Sequence, residues 1–126
     1  MRILVVDDTR AVHAFIKTLF MDTGHELDHC YSGDEAIEHL LPEKKADYGL
    51  ILLDWEMPGR DGMETLKELR SAGVETPVVM VTTRNHIKDI KKALEDGASE
   101  YVLKPFTKEI LFAKLSKVVG GDIINA

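Results

Sequence analysis

Polar side chains follow several short apolar runs in this chain of 126 residues, at the point where each run ends. Asp7 and Asp8 follow the first run, and Asp54 follows a later one. Thr82 and Lys104 end two further runs in the same way. Three carboxylates that lie close together repel one another unless a cation intervenes. With a divalent ion and a lysine nearby, one of these aspartates could attack phosphorus and form an acyl phosphate.

Mg²⁺ is the cation that such a site favours, since it prefers a few carboxylates, several water molecules and phosphate oxygens. Lys104 and the metal would neutralise the negative charge of the phosphoryl oxygens. The Thr82 hydroxyl could donate a hydrogen bond to one of these oxygens. A calcium loop is disfavoured because the chain has no D-x-D-x-D-G run. Zinc is disfavoured because the five histidines are scattered without thiol partners, so we expect ordinary surface or packing histidines.

The elements that must position these side chains alternate between short β-rich apolar runs and longer segments of helical period. The predicted strands are residues 3–6, 27–31, 48–53, 78–81 and 101–103. Three of them are almost continuously apolar, as expected for strands covered by helices on both faces. The first helical segment has an apolar stripe formed by Val12, Phe15, Ile16, Leu19 and Phe20.

Capping residues predict where the helices begin and end. Ser32 and Asp61 each stand three residues before a glutamate, which is the spacing of an N-cap and its N3 partner. Asn85 and Thr107 are predicted N-caps of the fourth and fifth helices. The glycines that follow helical segments, where a left-handed cap is favoured, are Gly24, Gly73, Gly97 and Gly120.

This alternation predicts an α/β fold in which (βα) is repeated five times, with parallel strands and helices on both faces of the sheet. We expect one domain over residues 1–120 and a short tail over 121–126. The flavodoxin-like, doubly wound strand order 2-1-3-4-5 is taken from folds of this kind rather than derived from the residues. In that order strands 1 and 3 are neighbours about 4.8 Å apart, so Asp7, Asp8 and Asp54 would converge.

Composition narrows the choice of partner and compartment. The net charge of −6 argues against nucleic acid as a direct ligand, because binding to the phosphate backbone needs a basic face. The single cysteine, Cys30, cannot form an internal disulfide and is expected to be a buried structural thiol in a reducing cytoplasm. No run approaches the roughly 20 apolar residues of a membrane helix, so we expect a cytoplasmic protein without membrane contact.

Four motifs, in order along nearly the whole chain, resemble the receiver domain of response regulators in bacterial two-component systems. They are VVDD at residues 5–8, LDWEMPGRDG at 53–62, VTT at 81–83 and KPF at 104–106. Each motif alone would be weak, but together, at the spacing of the family, they are highly specific. The length resembles a stand-alone, CheY-like member of the family.

The resemblance implies that a histidine kinase or phosphotransfer protein phosphorylates Asp54. The implied metal ligands are Asp7, Asp8, Asp54 and the backbone carbonyl of Glu56. Thr82 and Lys104 would contact the phosphoryl group, and the Lys104–Pro105 bond would be cis. The domain would assist its own phosphorylation and dephosphorylation, yet its output would be binding and not a released product.

The resemblance also implies how the signal leaves the site. Tyr101 matches the switch aromatic of the family, expected to turn inward when Thr82 moves toward the phosphoryl group. Glu56 and Arg84 should flank the mouth of the site, and we propose on our own account that an ion pair between them governs access of the hydrolytic water and so tunes the lifetime of the phosphoryl group. The output surface would be helix 4, strand 5 and helix 5, on a monomer that phosphorylation could dimerise. Candidate contact residues there are Lys88, Lys91, Lys92, Glu95, Lys108 and Phe112.

Other functions remain open at this point. A chemotaxis switch is the leading interpretation, but a phosphorelay intermediate or the receiver part of a longer transcriptional regulator would carry the same motifs. A phosphatase of the haloacid dehalogenase class resembles this site but typically has a second Asp where Glu56 stands. An FMN-binding flavodoxin would need a phosphate loop after the first strand, where Asp7 and Asp8 would repel phosphate.

Overall fold

The computed structural model describes residues 1–41 and 47–124, and in them five strands alternate with five helices. The strands are β1 (Arg2–Val6), β2 (Glu26–Cys30), β3 (Tyr48–Leu53), β4 (Val78–Thr82) and β5 (Glu100–Leu103). The helices are α1 (Arg10–Leu19), α2 (Gly33–Leu40), α3 (Gly62–Ser71), α4 (Ile87–Glu95) and α5 (Lys108–Val119). None of these helices is long and apolar enough to cross a membrane.

The five strands form one parallel sheet in the order β2-β1-β3-β4-β5. This confirms the flavodoxin-like (βα)5 fold and its predicted strand order. The register pairs Val6 with Leu53 and Leu53 with Met80. The carboxyl ends of the central strands therefore meet along one edge, which is where open α/β sheets bind ligands.

The central strands are apolar on both faces because a helical layer covers each face. Ile3 and Val5 pack into a core with α1 and α5, whereas Leu4 and Val6 pack into a second core with α2, α3 and α4. All four side chains are at most 1% exposed. Burying a side chain of this size contributes roughly 1.5–3 kcal/mol, so both cores hold β1 in the middle of the sheet.

The helix caps confirm most of the predicted boundaries. Asp61 accepts from the Glu64 amide while the Glu64 carboxylate accepts from the Asp61 amide, which is the predicted capping box. Thr107 caps α5. The predicted N-cap at Asn85 is wrong: His86 is the N-cap of α4, because its carbonyl accepts the amides of the first turn.

Two other boundaries differ in detail from the prediction. Ser32 caps α2 as expected, but the Glu35 carboxylate accepts from the Tyr31 amide and not from the Ser32 amide. Gly24 has a φ of +83° but lies beyond the C-cap of α1, which is Phe20. It therefore shapes the connection to β2 and does not end the helix.

The apolar stripe of α1 is only partly buried. Ile16 and Phe20 are buried in the core, but Phe15 is 45% exposed and its ring lies 5.6 Å from the ring of Phe106. Phe15 therefore faces the loop between β5 and α5, not the sheet.

The segment after α5 also contacts the core. Ile123 is buried in the core between α1 and α5, and its amide donates to the Ser116 hydroxyl. The domain boundary at residue 120 remains a prediction, and Asn125 and Ala126 at the end of the tail lie outside the described residues.

Candidate functional site

A carboxylate cluster forms where β1 and β3 end. The Asp7 amide donates to the Cys30 carbonyl and the Asp54 amide donates to the Val6 carbonyl, at 3.1 and 2.9 Å. Both aspartates thus continue the strand ladder by one residue and emerge at the same edge of the sheet. One ligand oxygen from each of Asp7, Asp8 and Asp54 lies within 4.8 Å of the others. The convergence predicted from the strand order is therefore present.

The loop after β3 is drawn tightly against Asp54. The Gly62 amide donates to the Trp55 carbonyl at 2.7 Å, and a Cβ at position 62 would lie 2.0 Å from the Asp54 carbonyl oxygen. Only glycine permits this approach. The Asp61 capping box then starts α3 at once, so the DG pair at the end of the LDWEMPGRDG motif fixes the path of the chain beside the carboxylate.

Lys104 reaches the same cluster from the end of β5. Its Nζ lies 2.8 Å from Asp7 Oδ2 and 3.6 Å from Asp54 Oδ2, and its side chain is 17% exposed. Its amide donates to the Thr82 carbonyl, and the Lys104–Pro105 peptide bond is cis, as the resemblance implies. One ammonium group faces three carboxylates, so the cluster keeps an excess of negative charge.

The environment of Asp54 changes its acidity. Burial raises the pKa of Asp54 from 3.8 to about 6, an effect that Lys104 opposes and Asp7 reinforces. The backbone amides of Glu56 and Trp55 also oppose the rise by hydrogen bonding to the carboxylate. Near neutral pH the group is therefore mostly ionised yet poorly solvated, which suits a carboxylate nucleophile.

Asp7 is held from three directions. Its carboxylate accepts from Lys104 and from the Thr9 amide at 2.8 Å, and its carbonyl accepts from His13 Nε2 at 2.7 Å. His13 is buried, and its Nδ1 shares a hydrogen bond of 2.7 Å with His29 Nδ1. The sequence placed His13 among the ordinary packing histidines and missed its contact with Asp7. The only available signal was its position on the inner side of α1.

Thr82 and Tyr101 are joined through the backbone of Arg84. Thr82 is fully buried, and its hydroxyl oxygen accepts from the Arg84 amide at 3.3 Å. The Tyr101 ring faces inward and its hydroxyl donates to the Arg84 carbonyl at 2.9 Å. Burial raises the pKa of Tyr101 to about 12, so the hydroxyl stays protonated as a donor.

The Arg84 side chain lies over the loop after Asp54. Its Nε is 3.7 Å from Glu56 Oε2, and the guanidinium group lies 4.6 Å from the centre of the Trp55 ring. The sequence predicted the pairing with Glu56 but missed Asp89, whose Oδ2 lies 3.2 Å from Arg84 Nη1. A spacing of five residues across a helix start gives no recognisable pattern, which is why the sequence did not reveal this partner.

A doubly wound parallel sheet with an aspartate cluster and a lysine at its carboxyl edge is the architecture of a phosphoacceptor domain. The chain belongs to the response regulator receiver domain family, which it matches over residues 3–116. Domains of this family are phosphorylation switches that accept phosphoryl groups from histidine kinases. The family resemblance predicted from the four motifs is thereby confirmed.

Relatives of two kinds are similar to this chain. Chemotaxis protein CheY1 of Helicobacter pylori is 35% identical over 125 residues, which cover 97% of this chain and 99% of that protein. Transcriptional regulatory protein DltR of Streptococcus agalactiae is 36% identical over 115 residues, or 91% of this chain and 50% of that protein. The chain thus spans about half the length of DltR.

A solved structure agrees with the family assignment. The receiver domain of Francisella response regulator 1452 matches with a TM-score of 0.85 and 29% identity, over 94% of this chain and 96% of that one.

Proposed function

We propose that this chain is the receiver domain of a response regulator, in which Asp54 accepts a phosphoryl group with the help of Mg²⁺ and thereby switches the binding of a partner protein. The observation that carries the proposal is the meeting of three carboxylates and Lys104 at one edge of the sheet. The partial burial and raised pKa of Asp54 support its role as the nucleophile.

The donor set fits Mg²⁺. The residues that would hold the ion are Asp7, Asp8, Asp54 and the backbone carbonyl of Glu56. Among the described residues, the cluster consists of carboxylates alone. Mg²⁺ prefers such hard oxygen ligands, whereas zinc and copper favour nitrogen and sulfur ligands. When bound, the ion would neutralise the carboxylates and the oxygens of the incoming phosphoryl group.

The residues of the chain would share the work of phosphoryl transfer. A carboxylate oxygen of Asp54 attacks phosphorus, the bond from phosphorus to the donor histidine nitrogen breaks, and that nitrogen keeps the electron pair. Lys104, which lies between Asp7 and Asp54, faces the transferred oxygens, and Thr82 donates its hydroxyl hydrogen to one of them. Transfer of this kind requires alignment and charge neutralisation more than covalent chemistry.

The output surface that we propose is the face formed by α4, β5 and α5. Four large apolar side chains of these elements are exposed: Ile87 is 75%, Leu94 43%, Leu103 41% and Ile110 51% exposed. Among the candidate contacts predicted from the sequence, Phe112 is wrong as a surface residue. It is buried, and its ring lies 4.9 Å from that of Phe20, because that side of α5 packs against α1.

We further propose that the protein is a cytoplasmic monomer and that it acts in chemotaxis. The similarity to CheY1 over nearly the full length of both chains supports that pathway, whereas the similarity to DltR supports the transcriptional alternative. A phosphorelay intermediate remains the third candidate. Deletion of the gene should abolish chemotactic swarming. Normal swarming with altered transcription would instead favour one of the other two pathways.

The decisive experiment is incubation with acetyl phosphate, with and without Mg²⁺, followed by intact mass measurement. The wild type should gain one phosphoryl group only when metal is present, and Asp54→Asn should gain none. Asp47→Asn is the matched control, since Asp47 is an exposed aspartate away from the cluster, and it should behave as the wild type does. Phosphorylation of Asp54→Asn to the wild-type extent would refute the proposal.

The ion pair of Glu56 and Arg84 is our candidate for tuning the lifetime of the phosphoryl group. Both side chains are partly exposed, at 59% and 38%, so the pair would act by placing the hydrolytic water and not through stability. Glu56→Gln and Arg84→Ala should each change the rate at which the phosphorylated protein loses phosphate. If both variants lost phosphate at the wild-type rate, the ion pair would have no role in setting the lifetime of the phosphoryl group.

A further inference from the structure

The Arg84 guanidinium group joins two separate parts of the chain. On one side it lies over the Trp55 ring and near the Glu56 carboxylate, in the loop that follows Asp54. On the other side it donates to the Asp89 carboxylate, in the first turn of α4. One side chain therefore connects the loop beside the phosphoacceptor to the start of the helix on the proposed output surface.

The backbone of Arg84 is hydrogen-bonded to Thr82 and Tyr101, the two residues predicted to move on phosphorylation. Its amide donates to the Thr82 hydroxyl oxygen at 3.3 Å, and its carbonyl accepts from the Tyr101 hydroxyl at 2.9 Å. A displacement of the Arg84 backbone would change both bonds together, because a single residue of the short loop from β4 to α4 carries the amide and the carbonyl that form them.

The contacts of the guanidinium group are of unequal strength. The Trp55 side chain is buried, and among the aromatic rings an indole forms the most favourable cation–π contacts. The bond to Asp89 is at hydrogen-bonding distance, with the carboxylate 27% exposed. The pairing with Glu56 is longer, at 3.7 Å, and more exposed, so it should contribute least.

We propose that Arg84 is a positioning residue, a clamp that binds the start of α4 to the loop after Asp54 and so holds the Arg84 carbonyl in reach of Tyr101. The clamp follows from the contacts alone. Its consequence for signalling, that α4 responds to phosphorylation through Arg84, rests on the proposed function. Lysine should replace arginine only in part, because a compact ammonium group lacks the planar face that lies over Trp55 while the same group donates to Asp89.

Hydrogen exchange tests the clamp without any phosphodonor. The amides of Asp89 and Ile90 both donate to the His86 carbonyl and report on opening of the first turn of α4. Arg84→Met keeps an unbranched apolar side chain but removes the guanidinium group, and both amides should then exchange at least about fivefold faster. Arg84→Lys should give an intermediate rate, while Glu56→Gln should stay close to the wild type.

Arg60→Met is the matched control, since Arg60 also pairs with two carboxylates, those of Asp34 and Glu68, but lies away from α4. It should leave the exchange of the α4 amides unchanged. If Arg84→Met does not fold, Asp89→Ala removes the acceptor of the Arg84 hydrogen bond from the other side and should also speed exchange at Ile90. Wild-type exchange in Arg84→Met, or an equal increase in Arg60→Met, would overturn the proposal.

A second measurement separates the clamp from the proposed function. Acetyl phosphate with Mg²⁺ should change the exchange of the α4 amides in the wild type, and Arg84→Met should be phosphorylated at Asp54 with little further change in α4. An equal response of α4 in both proteins would refute the signalling role of Arg84. Absence of phosphorylation in the wild type would refute the proposed function. The exchange rates measured without phosphodonor would still show whether Arg84 holds the start of α4.

Discussion

Burial raises the pKa of Asp54 from 3.8 to about 6, and this shift has a consequence for stability. Between these two values the folded protein holds a proton that the unfolded chain has lost, so the free energy of unfolding decreases as pH rises through this range. In metal-free buffer the decrease due to Asp54 should amount to about 2–3 kcal/mol by pH 7. Urea unfolding of the wild type and of Asp54→Asn at pH 4 and pH 7 would measure it.

Asp54→Asn should be the more stable protein at pH 7, because an amide needs no solvation of charge in the buried site. At pH 4 the two proteins should differ little. Asp47→Asn serves again as the control, and its exposed side chain should give no such pH-dependent difference. Greater stability of the wild type than of Asp54→Asn at pH 7 in the absence of metal would contradict the prediction.

The sequence predicted those site residues that stand at the ends of strands. Asp7, Asp54 and Lys104 could be placed together because the carboxyl ends of parallel strands share one edge. His13 and Asp89 could not be found in this way. Each acts on the site through a side chain on a helix, and which residue a helical side chain contacts depends on how that helix packs.

At the scale of elements, the start of α1 and the loop after β5 frame an apolar groove beside Lys104. It has a volume of about 410 Å³ and is lined by Val12, Phe15, Thr83, Lys104, Pro105 and Phe106. A donor histidine must approach Asp54 from this edge of the sheet, so we expect the donor protein to dock here. Phe15→Ser should slow transfer from the kinase about tenfold or more, since buried aromatic anchors dominate interfaces.

The same variant should accept phosphoryl groups from acetyl phosphate at the wild-type rate, because a small donor needs no docking surface. Met21→Ser is the matched control, since Met21 is an exposed apolar residue just beyond the C-cap of α1, far from the groove. Equal slowing with both donors would indicate damage to the site itself. Unchanged transfer from the kinase would show that the groove is not the docking surface.

The helical period located the apolar stripe of α1 but did not show which neighbour would cover each side chain. Ile16 lies against the sheet, whereas Phe15, one residue away, contacts the loop after β5. Strand assignment was more robust, since apolar runs such as that of β3 can be buried only between two helical layers.

At the scale of the whole molecule, Arg70 ties three segments together at the edge of the sheet opposite the carboxylate cluster. Its guanidinium group donates to the carbonyls of Val74, Thr76 and Gly97 at 2.8 Å each. Burial lowers the pKa of Arg70, although arginine remains charged. Arg70→Met should reduce the free energy of unfolding by about 2–4 kcal/mol, because three carbonyls lose their donor.

Urea denaturation would measure this loss, and Arg60→Met would be the comparison, with a much smaller effect expected from an arginine that forms surface ion pairs. Equal losses in the two variants would contradict a special role for Arg70.

Nothing in the sequence indicated the contact of Arg70 with these carbonyls, since its acceptors are backbone carbonyls, which every residue type carries. The strand order was likewise taken from known folds, since the alternation of elements does not determine it.

Lys104 and Asp7 are 97 residues apart in the chain, yet their side chains meet beside Asp54. During synthesis, Asp54 leaves the ribosome well before Lys104 has been made. A chain that ends before Lys104 carries Asp54 without its neutralising partner, so we expect it to accept phosphoryl groups poorly. We therefore expect only the folded domain, in which both ends of the chain contribute to the cluster, to respond to a phosphodonor.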